Sequence, residues 1–266
     1  MRVYLCFLQN AFQTAIAYRA NIFFEFVNKI MALFIEVTIW RALYHGVSEV
    51  STSVGAVSLR DMVTYAIIST GLSVFIANAN ISKINVKINT GQIAIDLIRP
   101  INFKTYLFSE MLGQMLYDIF IKLIPLTIIS VFLFGIYFPG PLSVLFFGIS
   151  VVNAVLLNFI ITYIIGLLAF WYTQAWQLDY LYQYVIIFLS GAWIPLWFFP
   201  DTLRAIIDFL PFHLIYYVPL TIYLHKVSYN TCLLLILKQL IWLLIFVIIE
   251  KAVWRRAVQK VVVQGG

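Results

Sequence analysis

The sequence predicts an all-α membrane protein with six transmembrane helices, and three observations carry that reading. Of 266 residues, 63% are apolar or aromatic and 11% are charged, against about 45–50% and about 25% in an ordinary soluble domain. The mean hydropathy is +0.97. The apolar residues also gather in runs long enough to cross a bilayer. A folded chain of 30.7 kDa has more surface than 17 Lys and Arg and 11 Asp and Glu can cover, and so large an exposed apolar area belongs against lipid. A soluble enzyme, a DNA-binding domain and a disordered regulator are excluded. The net charge of +6 fits basic loops facing anionic lipid and the cytoplasm.

A single membrane domain over 1–266 is expected. In residues 1–18, Leu5, Leu8, Phe12, Ala15 and Ile16 recur at helical spacing while Arg2, Gln9 and Gln13 lie on other faces. That pattern predicts an interfacial helix lying on the cytoplasmic side. The run from Val3 to Leu8 is too short for the apolar stretch of about 7–15 residues in a secretory leader. A spanning helix needs about 20 mainly apolar residues, and the segments 21–44, 62–79, 112–138, 141–172, 178–199 and 231–250 meet the test. The loop 45–58, rich in Ser, Gly and Val, reads as an exposed connection. Pro139-Gly140-Pro141 makes a tight external turn. The segment 200–228 holds a further apolar stretch, 203–224, interrupted by Asp208, Pro211, His213 and Pro219. Two short helices dipping into the outer interface are expected there, because broken backbone at depth needs protein or water around it.

Orientation follows from the cations. Arg2, Arg19, Lys83, Lys87, Arg99, Lys104, Lys251, Arg255, Arg256 and Lys260 fall on the side of the termini. Only Arg41, Arg60, Arg204 and Lys226 fall on the other, so both termini are expected in the cytoplasm. Cys6 and Cys232 are then too far apart for a disulfide.

Motifs for chemistry in the chain itself are missing. The sequence has no G-x-x-x-x-G-K-[ST] and no H-E-x-x-H, so neither nucleotide phosphates nor a protease zinc have a place. His45, His213 and His225 all lie in external segments, and two separated cysteines make no zinc centre. Ser190-Gly191 lacks the histidine that an intramembrane serine protease needs on a neighbouring span.

Ionisable residues inside spans are costly and therefore informative. Glu25 and Lys29 have the order of a helical ion pair and are read as an interfacial pair. Asp118 and Lys122 repeat that spacing deeper, as a structural pair or a substrate contact. Glu36 and Lys238 both sit about 10–12 Å below the outer boundary at about 1.5 Å per residue. An isolated charge there is unfavourable by several kcal/mol, so a Glu36–Lys238 contact is expected. Asn153, Asn158 and Thr162 read as interhelical hydrogen-bonders or the lining of a polar cavity. Trp171, Tyr172, Trp176, Tyr180 and Tyr182, and at the other face Trp193, Trp197, Phe198 and Phe199, match the aromatic belts of membrane interfaces. A lining for a greasy transported molecule is the sharper alternative.

The segment 82–100 is the most telling. Its sequence, SKINVKINTGQIAIDLIRP, has room for a short helix, a glycine break and a return to the membrane. Lys83, Lys87 and Asn89 suggest a polar exposed side, and Ile84, Val86, Ile88 and Ile93 an apolar one. Asn85, Gly91 and Arg99 complete the candidate docking segment, and Pro100 ends the helix. The run G-x-I-A-x-D-L-I-R-P from Gly91 to Pro100 resembles the pattern after the coupling helix in permease subunits of ABC-2-type ABC transporters. SGAWIPLWFFPDTLRAIIDFLPF, residues 190–212, is similar to the fifth span and external re-entrant helices of that family. YRANIFFEF, residues 18–26, looks like its elbow helix turning into span one.

The resemblance implies a stand-alone six-span bacterial permease of the inner membrane, with an elbow helix at 1–18, a coupling segment at 82–100 and re-entrant helices at 200–228. It implies two copies of a separate P-loop ATPase, which bind the ATP and Mg, and a second permease chain, identical or related. The chain itself is expected to be no enzyme and to hold no cofactor, metal or nucleic acid. It implies export of a hydrophobic or amphipathic drug, peptide or lipid-like substrate. Two other readings stay open: a substrate-binding membrane subunit of another transport system, and an intramembrane enzyme acting on lipid or peptide.

Overall fold

Long apolar runs separated by Gly and Pro give helix after helix. The computed structural model describes residues 19–76, 81–172 and 176–260, together with Phe7, Gln9 and Gln13. The helix expected over 1–18 otherwise lies outside the described residues, as does Cys6.

Helix α1 is Arg19–Leu43, followed by strands β1, Glu49–Thr52, and β2, Gly55–Ser58, and helix α2, Leu59–Ile76. Two short helices come next, α3 at Ile81–Asn89 and α4 at Gln92–Ile98. Helix α5, Phe103–Asp118, passes through a π turn at Ile119–Leu123 into α6, Ile124–Phe134. Then follow α7, Pro141–Leu167, α8, Trp176–Leu189, α9, Asp201–Phe209, α10, Tyr217–Tyr223, and α11, Tyr229–Val258. The ends are chemically marked. Asn102 caps α5 by accepting from the Thr105 amide at 3.0 Å, and Ser228 caps α11 through the Thr231 amide at 3.3 Å. Gly135, at φ 68°, ends α6, and Pro141 opens α7.

Helix α7 is the pillar of the fold, with α2, α3, α10 and α11 all packed on it. Gln239 of α11, fully buried, ties this packing together. Its amide donates to the Ser150 hydroxyl at 3.0 Å and to the Leu214 carbonyl at 2.9 Å, and its oxygen faces Asn153 Nδ2 at 3.5 Å. Asn158 reaches from α7 to the Ile76 carbonyl at 2.8 Å, and its oxygen accepts from Tyr182 of α8 at 2.6 Å. Both asparagines therefore bridge helices as expected. Thr162 does not, because its hydroxyl turns back to the Asn158 carbonyl at 2.8 Å.

Among the described residues four helices are long and apolar enough to cross a membrane: Leu59–Asn89, which includes the undescribed 77–80, Phe103–Phe134, Pro141–Phe170 and Tyr229–Val258. A fifth arises if Asp201–Phe209 and Phe212–Tyr223, bent by 81°, count as one crossing. Six were expected, and α1 and α8 make the difference. Helix α1 has 25 residues but carries Glu25, Lys29 and Glu36 within them. Helix α8 has 14 residues, about 21 Å against a core of about 30 Å.

The chain beyond α8 is irregular yet buried, which keeps its backbone satisfied. Tyr65 of α2 donates to the Gly191 carbonyl, Ser69 donates to the Ala192 carbonyl at 2.5 Å, and the Tyr217 amide donates to the Ser190 carbonyl at 2.9 Å. Gly191 sits at φ +78°, and an added Cβ would stand 3.0 Å from Tyr217 Cβ. Only glycine suits that backbone. Trp197, expected in an aromatic belt, is instead buried, edge-on to Tyr65 at 5.3 Å. Tyr182 is buried too. Trp193, Trp171, Tyr172 and Tyr180 stay exposed.

The connection 45–58 is a hairpin rather than an open loop. Glu49 pairs with Ser58 and Thr52 with Gly55, and Val57 is fully buried while Val50 packs against the core. Val50, Thr52 and Val54 alternating with Ser51 and Ser53, with Gly55 just after, was the signal for it. Lys226 pins the hairpin by donating to the Ala56 carbonyl at 2.9 Å and pairing with Asp61 at 2.8 Å.

Candidate functional site

The segment 82–100 forms two helices joined at Gly91, whose φ of +72° is costly for any residue with a side chain. The turn folds α4 back beside α3. One side chain then locks the pair. Asp96 on α4, 2% exposed, binds Lys87 of α3 at 2.8 Å and Arg99 at 3.4 Å. Lys87 also donates to the Tyr106 hydroxyl at 3.3 Å with its ammonium over that ring, and Tyr106 donates to Glu110 at 2.6 Å. A chain of polar contacts thus runs from α4 through α3 into α5. Phe7 packs edge-on to Tyr106, with ring centres 4.7 Å apart. Asp96 was absent from the expected site residues. It is the lone carboxylate between Ser82 and Lys104, among Lys83, Lys87, Arg99 and Lys104, and that was a usable signal.

The faces of α3 differ from those expected. Ile84 is fully buried and Ile93 nearly so, within a cluster that includes Phe103, Tyr106, Phe159 and Tyr163. Asn85 is buried and accepts from Asn89 Nδ2 at 3.2 Å. Lys87 is mostly buried by its pair with Asp96. Ile84, Asn85 and Lys87 therefore face the body of the protein and leave the proposed contact surface. The exposed side includes Lys83, Val86, Asn89, Gly91, Ile95, Ile98 and Arg99, with Ile98 84% exposed. The reason is the period. Helix α3 packs on α7 and α8 through Ile81, Ile84 and Asn85, and the opposite stripe is left for α4 and solvent. Ser82 adds a hydrogen bond to Asp179 of α8.

The charges inside the bundle also find partners other than some of those expected. Asp118 and Lys122 pair at 2.9 Å, as the spacing predicts, and Lys122 additionally binds Glu25 of α1 at 2.7 Å. Gln114 Nε2 donates to Asp118 at 3.3 Å. Lys122 lies in the π turn, a distortion that recurs at functional positions in helices. Lys29, expected to pair with Glu25, instead donates to Ser73 of α2 at 2.6 Å. One ammonium thus joins two carboxylates from two helices, and a second ties α1 to α2.

Glu36 and Lys238 form no ion pair. Lys238 donates to the Asp208 carbonyl at 2.5 Å, at the last turn of α9, and stands 3.4 Å from His213 Nε2. The ammonium caps the carbonyl end of α9, where a cation is favoured. Glu36 has one buried oxygen, Oε1, without a hydrogen-bond partner, and its carboxyl is met by the Trp40 side chain one turn on. Equal depth does not bring two side chains together when the helices present them to different neighbours.

The arrangement offers two short helices packed at the end of the bundle, an exposed apolar ridge with cations at its edge, and a polar relay from that ridge into a long apolar helix. No group of three or more His, Cys, Asp or Glu side chains among the described residues could hold a metal ion. No curated protein matches the chain. The family described as ABC-2 family transporter protein matches over residues 26–265, which takes in most of α1 and all of α2 to α11. The chain belongs to the ABC-2 family of transporter proteins and is the multi-pass membrane permease component of an ABC transport system.

Proposed function

We propose that this chain is the permease subunit of an ATP-driven exporter in a bacterial inner membrane, carrying a hydrophobic or amphipathic drug, peptide or lipid-like molecule. Its six crossings are α1, α2, α5 with α6, α7, α8 with its broken continuation, and α11. Residues 1–18 form the elbow helix, α9 and α10 the external re-entrant pair, and both termini lie in the cytoplasm. The helices α3 and α4 couple the permease to two copies of a P-loop ATPase, which bind the ATP and Mg, and a second permease chain, identical or related, completes the pore.

The observation that supports this best is the exposed ridge of Val86, Ile95 and Ile98 flanked by Lys83 and Arg99. Exposed apolar side chains on a polar loop segment mark an interaction surface, and the buried Asp96–Lys87 pair makes the ridge rigid enough to transmit force. The apolar composition and the wide exposed apolar surface of the helices suit a lipophilic cargo.

The test is co-purification with the ATPase and reconstitution in vesicles. Ile95→Asp with Ile98→Asp is expected to abolish ATPase retention and transport while insertion and the thermal midpoint of the permease are unchanged. Retention and transport at the native level in that variant would overturn the coupling role. ATP-dependent accumulation of a lipophilic dye inside inverted vesicles reports export, and its expulsion from them reports import.

A further inference from the structure

On the flank of the bundle a groove of about 220 Å³ opens between α5, α7 and α11, walled by Phe108, Phe159, Leu243 and Val247. An apolar cavity of about 150 Å³ holds a benzene ring, so this one has room for a segment of hydrocarbon chain. Its rim on α11 continues into Leu244 and Ile248, both about 60% exposed (62% and 61%), so the groove faces the bilayer rather than the centre of the bundle.

One end of the groove is charged. Lys104 and Thr105 of α5 close it, and Lys104 is fixed there by Glu250 at 2.8 Å. Along α11, residues 243, 247, 251 and 255 follow at four-residue spacing, which makes each a neighbour of the next while the stripe winds by about 40° per step from the groove toward the exposed side of Leu244 and Ile248. They are Leu, Val, Lys and Arg. Lys251 and Arg255 are exposed and stand within about 12–18 Å of Leu243 along the axis. Two apolar side chains followed by two cations, beside a third cation on α5 that Glu250 holds, complement in order the tail and the anionic head of a phospholipid.

We propose that this groove is a phospholipid site. One acyl chain lies against Phe108, Phe159, Leu243 and Val247, and an anionic headgroup such as phosphatidylglycerol rests on Lys104, Lys251 and Arg255. The lipid comes from the leaflet on the side of α3 and α4. The site belongs to the single chain and does not depend on the transport reading above.

The test is native mass spectrometry of the full-length chain, released from nanodiscs of dioleoyl-phosphatidylglycerol or dioleoyl-phosphatidylcholine. The expected result is one phosphatidylglycerol retained per chain, with phosphatidylcholine held at least fivefold more weakly. A cation near a membrane anion is worth about 1 kcal/mol, which is about fivefold in affinity, so Lys251→Glu and Arg255→Glu should each reduce retention of phosphatidylglycerol by at least that factor. Leu243→Trp fills the groove and is expected to remove the retained lipid with either headgroup. Val247→Phe does the same should Leu243→Trp not fold, and Ile128→Trp, on a lipid-facing surface elsewhere, should leave the count unchanged. Retention unaltered by both groove-filling variants, or equal retention of the two lipids, overturns the proposal.

Discussion

Ile84 occupies the space in which a side chain at Gly166 would have to stand. A Cβ at Gly166 would lie 2.6 Å from Ile84 Cδ1 and 3.2 Å from Ile84 Cβ, so α3 rests directly on the backbone of α7. Overpacking of such a contact costs about 1–3 kcal/mol. Gly166→Leu is expected to lower the thermal midpoint of the permease in detergent and to reduce transport-linked ATP hydrolysis more than basal hydrolysis. An unchanged midpoint would show that α3 yields without cost.

Asp96 holds α3 and α4 together from a buried position, and removing one partner of such a pair costs about 3–5 kcal/mol. Asp96→Ala should therefore destabilise by about that amount, measured by thermal unfolding. Lys87→Asp combined with Asp96→Lys is expected to recover part of the loss, because the pair is re-formed in reverse.

Lys122 is the common partner of Asp118, 3% exposed, and Glu25, 49% exposed. Lys122→Met leaves Asp118 buried without its cation and should cost about 3–5 kcal/mol. Glu25→Gln leaves Lys122 its pair with Asp118 and should cost less, about 1.5–3 kcal/mol for one hydrogen bond to a charged group. Equal losses for the two variants would show that Glu25 carries more of the pairing than its exposure implies.

Glu36 and Lys238 make separate contacts, and separate contacts are additive within about 0.3–0.5 kcal/mol. A double-mutant cycle with Glu36→Gln and Lys238→Met is expected to give a coupling energy inside that range, in unfolding measurements. Lys238→Met alone should cost about 1.5–3 kcal/mol, the loss of a charged hydrogen bond. A coupling energy above about 1 kcal/mol would restore the ion pair.

The residues themselves were enough to establish the helical membrane class, the helix start at Pro141, the break at Gly91 and the Asp118–Lys122 pair. Each of these depends on hydropathy, on backbone freedom at one position or on spacing along one helix, all of which are local properties. Tertiary structure decided the rest. Depth arithmetic put Glu36 level with Lys238 but said nothing of rotation about each helix axis, and rotation gave Lys238 to the end of α9 and Glu36 to Trp40. Composition alone made Ile84 and Ile95 equivalent, yet packing on α7 buried the first and left the second outside. The Glu25–Lys122 bridge and the Gln239 hub join elements distant in sequence, so only the assembled bundle could reveal which polar group lies within reach of which.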